Sequence, residues 1–386
     1  MSNFKVPDSV LIILKQLETA GFQAYLVGGC VRDMIMGRSI HDWDITTDAS
    51  SDEIMTVFRS TIPTGIKYGT VTVMSRSTKA EVTTFRTDGT YGDMRHPENV
   101  RFVKNLEEDL ARRDFTMNAM AMDMRGNVTD VFGGRDDIKK GLIRCVGNAE
   151  KRFSEDALRM LRAVRFSAQL GFEIEQKTEA AMEKLGRNVA GISAERVLEE
   201  TVKMLMSPKP EAVLKAFEYG MYSGITDKIP DIAAVGRIGR IKKEKCLKIC
   251  ALAYILGDPE FLPKIKAESK AVKLYKLADS MACDSEKEIR YAVAVYGFGT
   301  VGAVCMLRDA KFGGYRFLTM KKIKKSGNYI TKNNLQISGE DIIAAGIEKG
   351  PQIGAILTAL LRHVNDVPED NNEETLLKLA MSMENM

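Results

Sequence analysis

Tyr25-Leu-Val-Gly-Gly-Cys-Val-Arg-Asp33, followed by His41-Asp-Trp-Asp-Ile45, is the stretch from which the fold of this 386-residue chain can be worked out. Its first half reads as a strand running into Gly28-Gly29, after which a helix opens with Arg32 in its first turn. Paired glycines let the backbone approach a ligand closely, and a helix N-terminus offers N–H groups and the positive end of its dipole, so the turn suits a phosphate. Alone, such a turn is most often only a turn. The second half sharpens the reading. Asp42 and Asp44 are two apart on a predicted strand, which points both carboxylates to one face. Two adjacent anions repel unless a cation joins them, and oxygen ligands of this kind suit Mg2+, which takes one or two carboxylates plus substrate phosphates. An isolated Asp-x-Asp is usually a solvated strand edge. Here a phosphate-type turn precedes it, and Glu81, opening the predicted strand Glu81-Val-Thr-Thr-Phe85, offers a third acid. Three carboxylates on neighbouring strands suit two-metal phosphoryl or nucleotidyl transfer. Trp43, the only tryptophan, lies between the aspartates and is expected to face the core.

Around this stretch, residues 24–27, 71–74 and 82–85 are short, rich in β-branched or aromatic residues, and bounded by Gly, Asp and Thr, which is strand punctuation. From about Lys151 the pattern changes to Glu, Ala, Leu, Met, Lys and Arg at a 3.6-residue period, with stops at Gly171, Gly191, Pro208, Gly220, Gly257 and Gly313. The fold class expected is therefore α+β: a head with a small mixed sheet and helices, followed by an elongated all-helical remainder. The expected divisions are a head over 1–146, a helical neck over 147–205, a body over 206–310 and a tail over 311–386.

Composition sets outer limits. The chain is 45% hydrophobic and 28% charged, as in ordinary globular proteins. Three histidines exclude chemistry built on a His cluster, and six cysteines without a C-x-x-C pair exclude a zinc ribbon or thioredoxin-like site. They read as reduced residues of a cytosolic protein. The N-terminal residues form an amphipathic helix rather than a signal peptide, and no apolar run of membrane-spanning length is expected. The net charge of +4 hides two basic segments. Residues 237–248 hold six Lys/Arg against Glu244, a local +5. Residues 308–332 hold eight against Asp309, a local +7, interleaved with Phe312, Tyr315, Phe317 and Tyr329. Basic stripes with aromatics fit an RNA backbone; a solvated helical face is the plainer explanation, at even odds for the first segment.

Leu26-Val-Gly-Gly-Cys-Val-Arg-Asp33 with Asp42-Trp-Asp44 resembles the signature of class II tRNA nucleotidyltransferases, the family of the CCA-adding enzymes, whose superfamily includes bacterial poly(A) polymerases. Arg112-Arg-Asp-Phe-Thr-Met-Asn-Ala119 is similar to the family's second motif, residues 130–144 to its hinge, Glu155-Asp-Ala-Leu-Arg159 to its nucleotide-selecting motif, and Ile192-Ser-Ala-Glu-Arg196 to its fifth. Five ordered motifs span residues 25–200; the C-terminal half resembles the family more loosely, at Leu335-Gln-Ile-Ser-Gly-Glu-Asp341 and 346–354. The resemblance implies a nucleotidyltransferase head and Mg2+-dependent, template-independent addition of CCA to the tRNA 3′ end from CTP and ATP, releasing pyrophosphate. It implies a cytoplasmic enzyme with no membrane partner and is compatible with a homodimer. Alternatives are a poly(A) polymerase, a CC-only or A-only enzyme, and an RNA-binding protein with an inactive site.

Site roles follow. Asp42 and Asp44 would hold the metal, with Glu81 as third carboxylate or general base. Gly28, Gly29 and Arg32 would approach the nucleotide, Arg113 the triphosphate, and Asp114 with Asn118 the ribose hydroxyls. In a helical projection of residues 152–166, Ala157, Leu158, Met160, Leu161 and Val164 fall on one side and Arg152, Glu155, Asp156, Arg159 and Arg162 on the other. Asp156 can only accept hydrogen bonds and Arg159 can only donate them. Cytosine and adenine both present an amino donor beside a ring-nitrogen acceptor, so one Asp–Arg pair suits CTP and ATP and disfavours UTP and GTP. Arg162 and Arg165 would neutralise phosphate charge. The polar loop over 88–99, containing His96, is implied to act as a lever that switches the pocket from CTP to ATP.

Overall fold

The computed structural model describes residues 6–76, 78–88 and 100–384. Of the 88–99 loop, all but Asp88 lies outside the described residues, His96 included. The chain divides into two compact units, Met1–Asp227 and Lys228–Met386.

In the N-terminal unit, α1 (Asp8–Thr19) precedes β1 (Ala24–Val27), α2 (Gly29–Ile35), β2 (Trp43–Thr47), α3 (Ser51–Val57), β3 (Thr61–Gly65), β4 (Thr70–Ser75) and β5 (Thr78–Thr84). A ribbon of β6 (Arg86–Asp88) and β7 (Val100–Phe102) follows, then α4 (Leu106–Ala111), β8 (Ala121–Met122), β9 (Val128–Thr129), α5 (Gly134–Lys140) and β10 (Leu142–Ile143). Seven strands form one mixed sheet in the order β3-β4-β5-β2-β1-β8-β9, in which only β2 and β5 pair in parallel. That parallel pair requires a crossover, supplied by α3 and the β3–β4 hairpin.

Strand parity decides what each face carries. Leu26, Ile45 and Val82 are cross-strand partners, and with Trp43, Val71 and Val73 they pack beneath Val10, Ile13, Leu14 and Leu17 of α1. Trp43 is a core residue, 7% exposed. Asp44 alternates to the other face, and its register partner is Glu81. Two sequence expectations shift. Strand β2 begins at Trp43, so Asp42 precedes it, and Glu81 sits mid-strand, because β5 starts at Thr78, the register partner of Ser75.

The helices of this unit are α6 (Ala149–Glu155), α7 (Leu158–Leu170), α8 (Gln176–Leu185), α9 (Ala194–Leu205) and α10 (Val213–Glu218), with β11 (Glu173–Ile174) pairing in parallel with β10. The single helix expected across 152–166 is interrupted at Asp156, whose φ of −142° and ψ of 102° are extended. The apolar side holds, with Ala157, Met160, Leu161 and Val164 fully buried. The opposite side is less solvated than its composition suggests: Arg159 is 7% exposed.

The second unit is helical: α11 (Ile232–Arg237), α12 (Lys245–Leu256), α13 (Phe261–Lys264), α14 (Ser269–Ser280), α15 (Glu286–Phe312), α16 (Arg316–Ser326), α17 (Gly339–Ala344), α18 (Pro351–Asp366) and α19 (Glu373–Glu384). One expectation is corrected here. Helix α15 is long and apolar enough to cross a membrane, so a run of that length does exist. It packs on α11, α12, α14, α16 and α18, bends at Gly297, whose φ is 76°, and buries Ile289, Val293, Val301, Val304 and Leu307, as a core helix does.

Candidate active site

Gly28 separates β1 from α2 with φ 75° and ψ −132°, a conformation that only glycine adopts readily. A Cβ there would lie 3.2 Å from Arg113 Nη1 and 3.6 Å from Asp44 Oδ2, so glycine is also required by the close approach of a cation and an acid. These groups open on a cavity of about 680 Å³. Asp42, Asp44 and Glu81 form its acidic wall, and Gly28 and Gly29 its turn. Arg32, Arg113, Asp114 and Asn118 line another side, and Arg162 and Arg165 of α7 a third. Eleven of the thirteen site residues expected from sequence thus share one cavity; Asp156 and Arg159 do not line it.

The acidic wall is strained electrostatically. Burial pushes the Asp44 carboxyl up to about 6; Arg113 pulls it down, and Glu81 and Asp42 push it up again. Crowded carboxylates raise one another's pKa unless a cation joins them. Among the described residues no three His, Cys, Asp or Glu side chains converge closely enough to hold a metal by themselves. The donors therefore suit a hard cation that completes its shell with water and substrate oxygens, the habit of Mg2+.

The basic side is held by acids behind it. Asp109, fully buried, receives Arg112 at 2.9 Å and Arg113 at 3.1 Å, and accepts hydrogen bonds from Thr46 Oγ1 at 3.2 Å and the Arg86 amide at 3.3 Å. Burial would raise its carboxyl, but the two arginines outweigh that and hold it below the usual range. Arg113 Nε remains buried with no hydrogen-bond partner among the described residues, a donor that an incoming anion can satisfy.

Asp114 and Asn118 meet not on a helix but across a single 3-10 turn, Thr116–Asn118, where Asn118 Nδ2 donates to Asp114 Oδ1 at 3.2 Å. Asp114 also receives Arg162 at 2.6 Å. Against the burial that would raise it, the Arg162 charge and hydrogen bonds bring its carboxyl down to about 2. Arg32 Nη1 donates to Asn118 Oδ1 at 2.7 Å, so the first-motif arginine and the second-motif amide are one network. The turn is seated by Gly134, where a Cβ would lie 2.3 Å from the Thr116 carbonyl, and by Asp137, which accepts from Thr116 Oγ1 at 2.6 Å.

Asp156 and Arg159, the pair expected to select the base, are each bound to another side chain. Asp156 is held by Arg196 at 2.9 Å. Arg159 pairs with Glu155 at 3.2 Å and donates to the Arg112 carbonyl at 3.0 Å. Arg165 is taken by buried Glu200. Sequence reasoning missed Asp109, although an acid three and four residues before two arginines is a visible signal on a helix. It also missed Glu200 and the cavity residues Lys203 and Phe166. Glu200 lies 35 positions from its partner and has no local signature.

The chain is similar to known proteins in sequence and in fold. A family model described as the poly A polymerase head domain matches residues 24–144, and one described as a probable RNA and SrmB- binding site of polymerase A matches residues 171–234. The CCA-adding enzyme of Lactobacillus johnsonii is 50% identical over 397 aligned positions, covering 96% of each chain. That of Ligilactobacillus salivarius is 36% identical, covering 98% of each. The crystal structure of the Bacillus stearothermophilus CCA-adding enzyme in complex with CTP superposes with a TM-score of 0.79 at 35% identity, covering 98% of this chain and 97% of that one. With a Gly-Gly turn, paired acids and buried arginines in one cavity, and relatives of this identity along its whole length, the chain belongs to the CCA-adding enzyme family.

Proposed function

We propose that the chain adds CCA to the 3′ end of tRNA, using CTP and then ATP and releasing pyrophosphate. The observation that carries this is one cavity holding an acidic wall, a Gly-only turn and a set of arginines already tied to acids. Asp42 and Asp44 would hold Mg2+, which when bound supplies charge stabilisation at the reacting phosphate. Glu81, beside Asp44, serves as a third carboxylate or as the base for the ribose 3′-OH. Arg32, Arg113, Arg162 and Arg165 face the triphosphate, with Gly28 and Gly29 allowing its approach, and Asp114 with Asn118 orient the ribose.

Asp156 and Arg159 act as the base template. Arg196 and Glu155 hold the two side chains in place beside the cavity-lining helix, and a fixed acceptor and donor are what rejecting a base of the opposite hydrogen-bond order requires. Division of labour follows the chain: head over 1–146, neck over 147–205, body over 206–310 and RNA-holding tail over 311–386, in a cytoplasmic enzyme.

Purified protein incubated with tRNA lacking CCA and each nucleotide separately tests the proposal. Two CMP residues followed by one AMP are expected, with UTP and GTP unused. Poly(A) synthesis on unstructured RNA without use of CTP would contradict it. Arg159→Ala is expected to relax or abolish the CTP/ATP preference while leaving Mg2+ binding intact; an unchanged nucleotide profile would remove its assigned role.

A further inference from the structure

Three guanidinium groups meet over one aromatic ring. The Phe166 centroid lies 3.9 Å from Arg165 Cζ, 5.1 Å from Arg32 Cζ and 5.5 Å from Arg162 Cζ. The ring is 5% exposed, lines the cavity, and is braced edge-on by Phe115 at a centroid separation of 5.8 Å. Each arginine has its own oxygen partners: Asp33 and Asn118 for Arg32, Asp114 for Arg162 and Glu200 for Arg165. The ring lies within about 6 Å of all three guanidinium groups.

Like charges gathered this closely repel, more so where water is scarce. An aromatic face attracts cations within about 6 Å through its quadrupole and carries no formal charge. A carboxylate in the same place would hold the arginines but compete with a phosphate for them. An aliphatic side chain would fill the space without adding to the relief that the acid partners already give.

We infer that Phe166 is a positioning residue that gathers Arg32, Arg162 and Arg165 into a triphosphate-binding cluster while leaving their charge available to the ligand. This rests on the proposal that these arginines face the triphosphate.

The test replaces Phe166 in the full chain by phenylalanines with increasing ring fluorination, which keep the shape and weaken the negative face stepwise. Affinity for CTP and for cytidine, which has no phosphates, is read by calorimetry, with thermal melts to verify folding. CTP binding is expected to weaken progressively, about 5–10-fold across the series, with cytidine binding unchanged. Phe166→Tyr should stay within about twofold, and Phe166→Leu should weaken CTP binding about tenfold. A flat fluorination series, or equal losses for CTP and cytidine, would reduce Phe166 to packing and overturn the inference. Arg162→Ala and Arg165→Ala separate the two claims. If neither weakens CTP binding, the triphosphate reading fails and the inference falls with it. If both do and the fluorinated series is flat, only the inference fails.

Discussion

Around the cavity, which Lys79 and Lys203 also line, the arginines have acids behind them: Asp109 holds Arg113, Asp114 holds Arg162 and Glu200 holds Arg165. In the C-terminal unit the cations of residues 308–332 are mostly lysines, and the two arginines there are clamped, Arg308 by Asp284 and Arg316 by Asp284 and Asp309. Lys321, Lys322, Lys324, Lys325 and Lys332 are exposed and make no ion pair among the described residues. The first kind of site fixes geometry, because a planar guanidinium tied to a carboxylate cannot wander. The second kind supplies exposed point charge, with Lys321 and Lys324 lying 4.7 Å and 5.4 Å from the Phe317 and Phe298 rings, which suits a phosphate backbone read by shape. Phe312 and Tyr315, 58% and 76% exposed, offer stacking surface in the same segment. The other basic segment, 237–248, is partly structural. Arg237 donates to the Ala310 and Lys311 carbonyls at the end of α15, and Lys248 is only 2% exposed.

The largest effect that can break this contrast lies at the acids. Asp42→Ala and Asp44→Ala should each lower nucleotide incorporation by about 10³-fold or more, the several kcal/mol a metal clamp supplies, with tRNA affinity retained. Retained activity and Mg2+ dependence would remove the metal assignment. Next comes Asp114→Ala, which leaves Arg162 without its buried partner and should cost about 3 kcal/mol in urea unfolding. Because Asp114 sits at about 2 in the fold against 3.8 ordinarily, its contribution is fully present above pH ~4 and is lost as pH falls through 2. No change in midpoint for the variant would mean that the pair is ornamental.

Smaller again is the tail. Replacing the five lysines by Gln should weaken tRNA binding on the order of 10–100-fold near 0.1 M salt and flatten its salt dependence, with CTP affinity unchanged. An unaltered salt slope would mean that this face is merely solvated. The smallest effect concerns Asp44. A carboxyl at about 6 in the fold and 3.8 ordinarily binds its proton more tightly when folded. The metal-free protein therefore gains stability as pH falls through 6 and loses it as pH rises. Since Mg2+ takes the ionised form, its affinity should drop about tenfold per pH unit below 6. A flat profile between pH 5 and 7 would place the titration elsewhere.

How much of this was legible in the sequence depended on distance along the chain. Strand β1 is read residue for residue, since Gly28 ends it and its apolar pattern is local. The acidic wall is read from Asp-x-Asp spacing, although pairing of Asp44 with Glu81 needed the parallel register between β2 and β5. The neck arginines appear in sequence as a solvated stripe, because partners such as Glu200 and Asp114 lie 35 and 48 positions away. The break at Asp156 was hidden too, as Glu, Asp and Ala all tolerate a helix. Helix α15 was underread because glycines interrupt its apolar run, and one of them, Gly297, kinks it with non-helical dihedrals.

The contrast between acid-paired arginines and exposed lysines is tested most directly by the single-turnover rate of CMP incorporation at saturating tRNA and CTP in the five-lysine variant. The rate should match that of the unmodified protein, because only RNA affinity has been lost, while Asp44→Asn should bind tRNA normally and incorporate almost nothing. A lysine variant that stays slow at saturation would contradict the separation of the two regions, since the tail would then be shaping the reacting site itself.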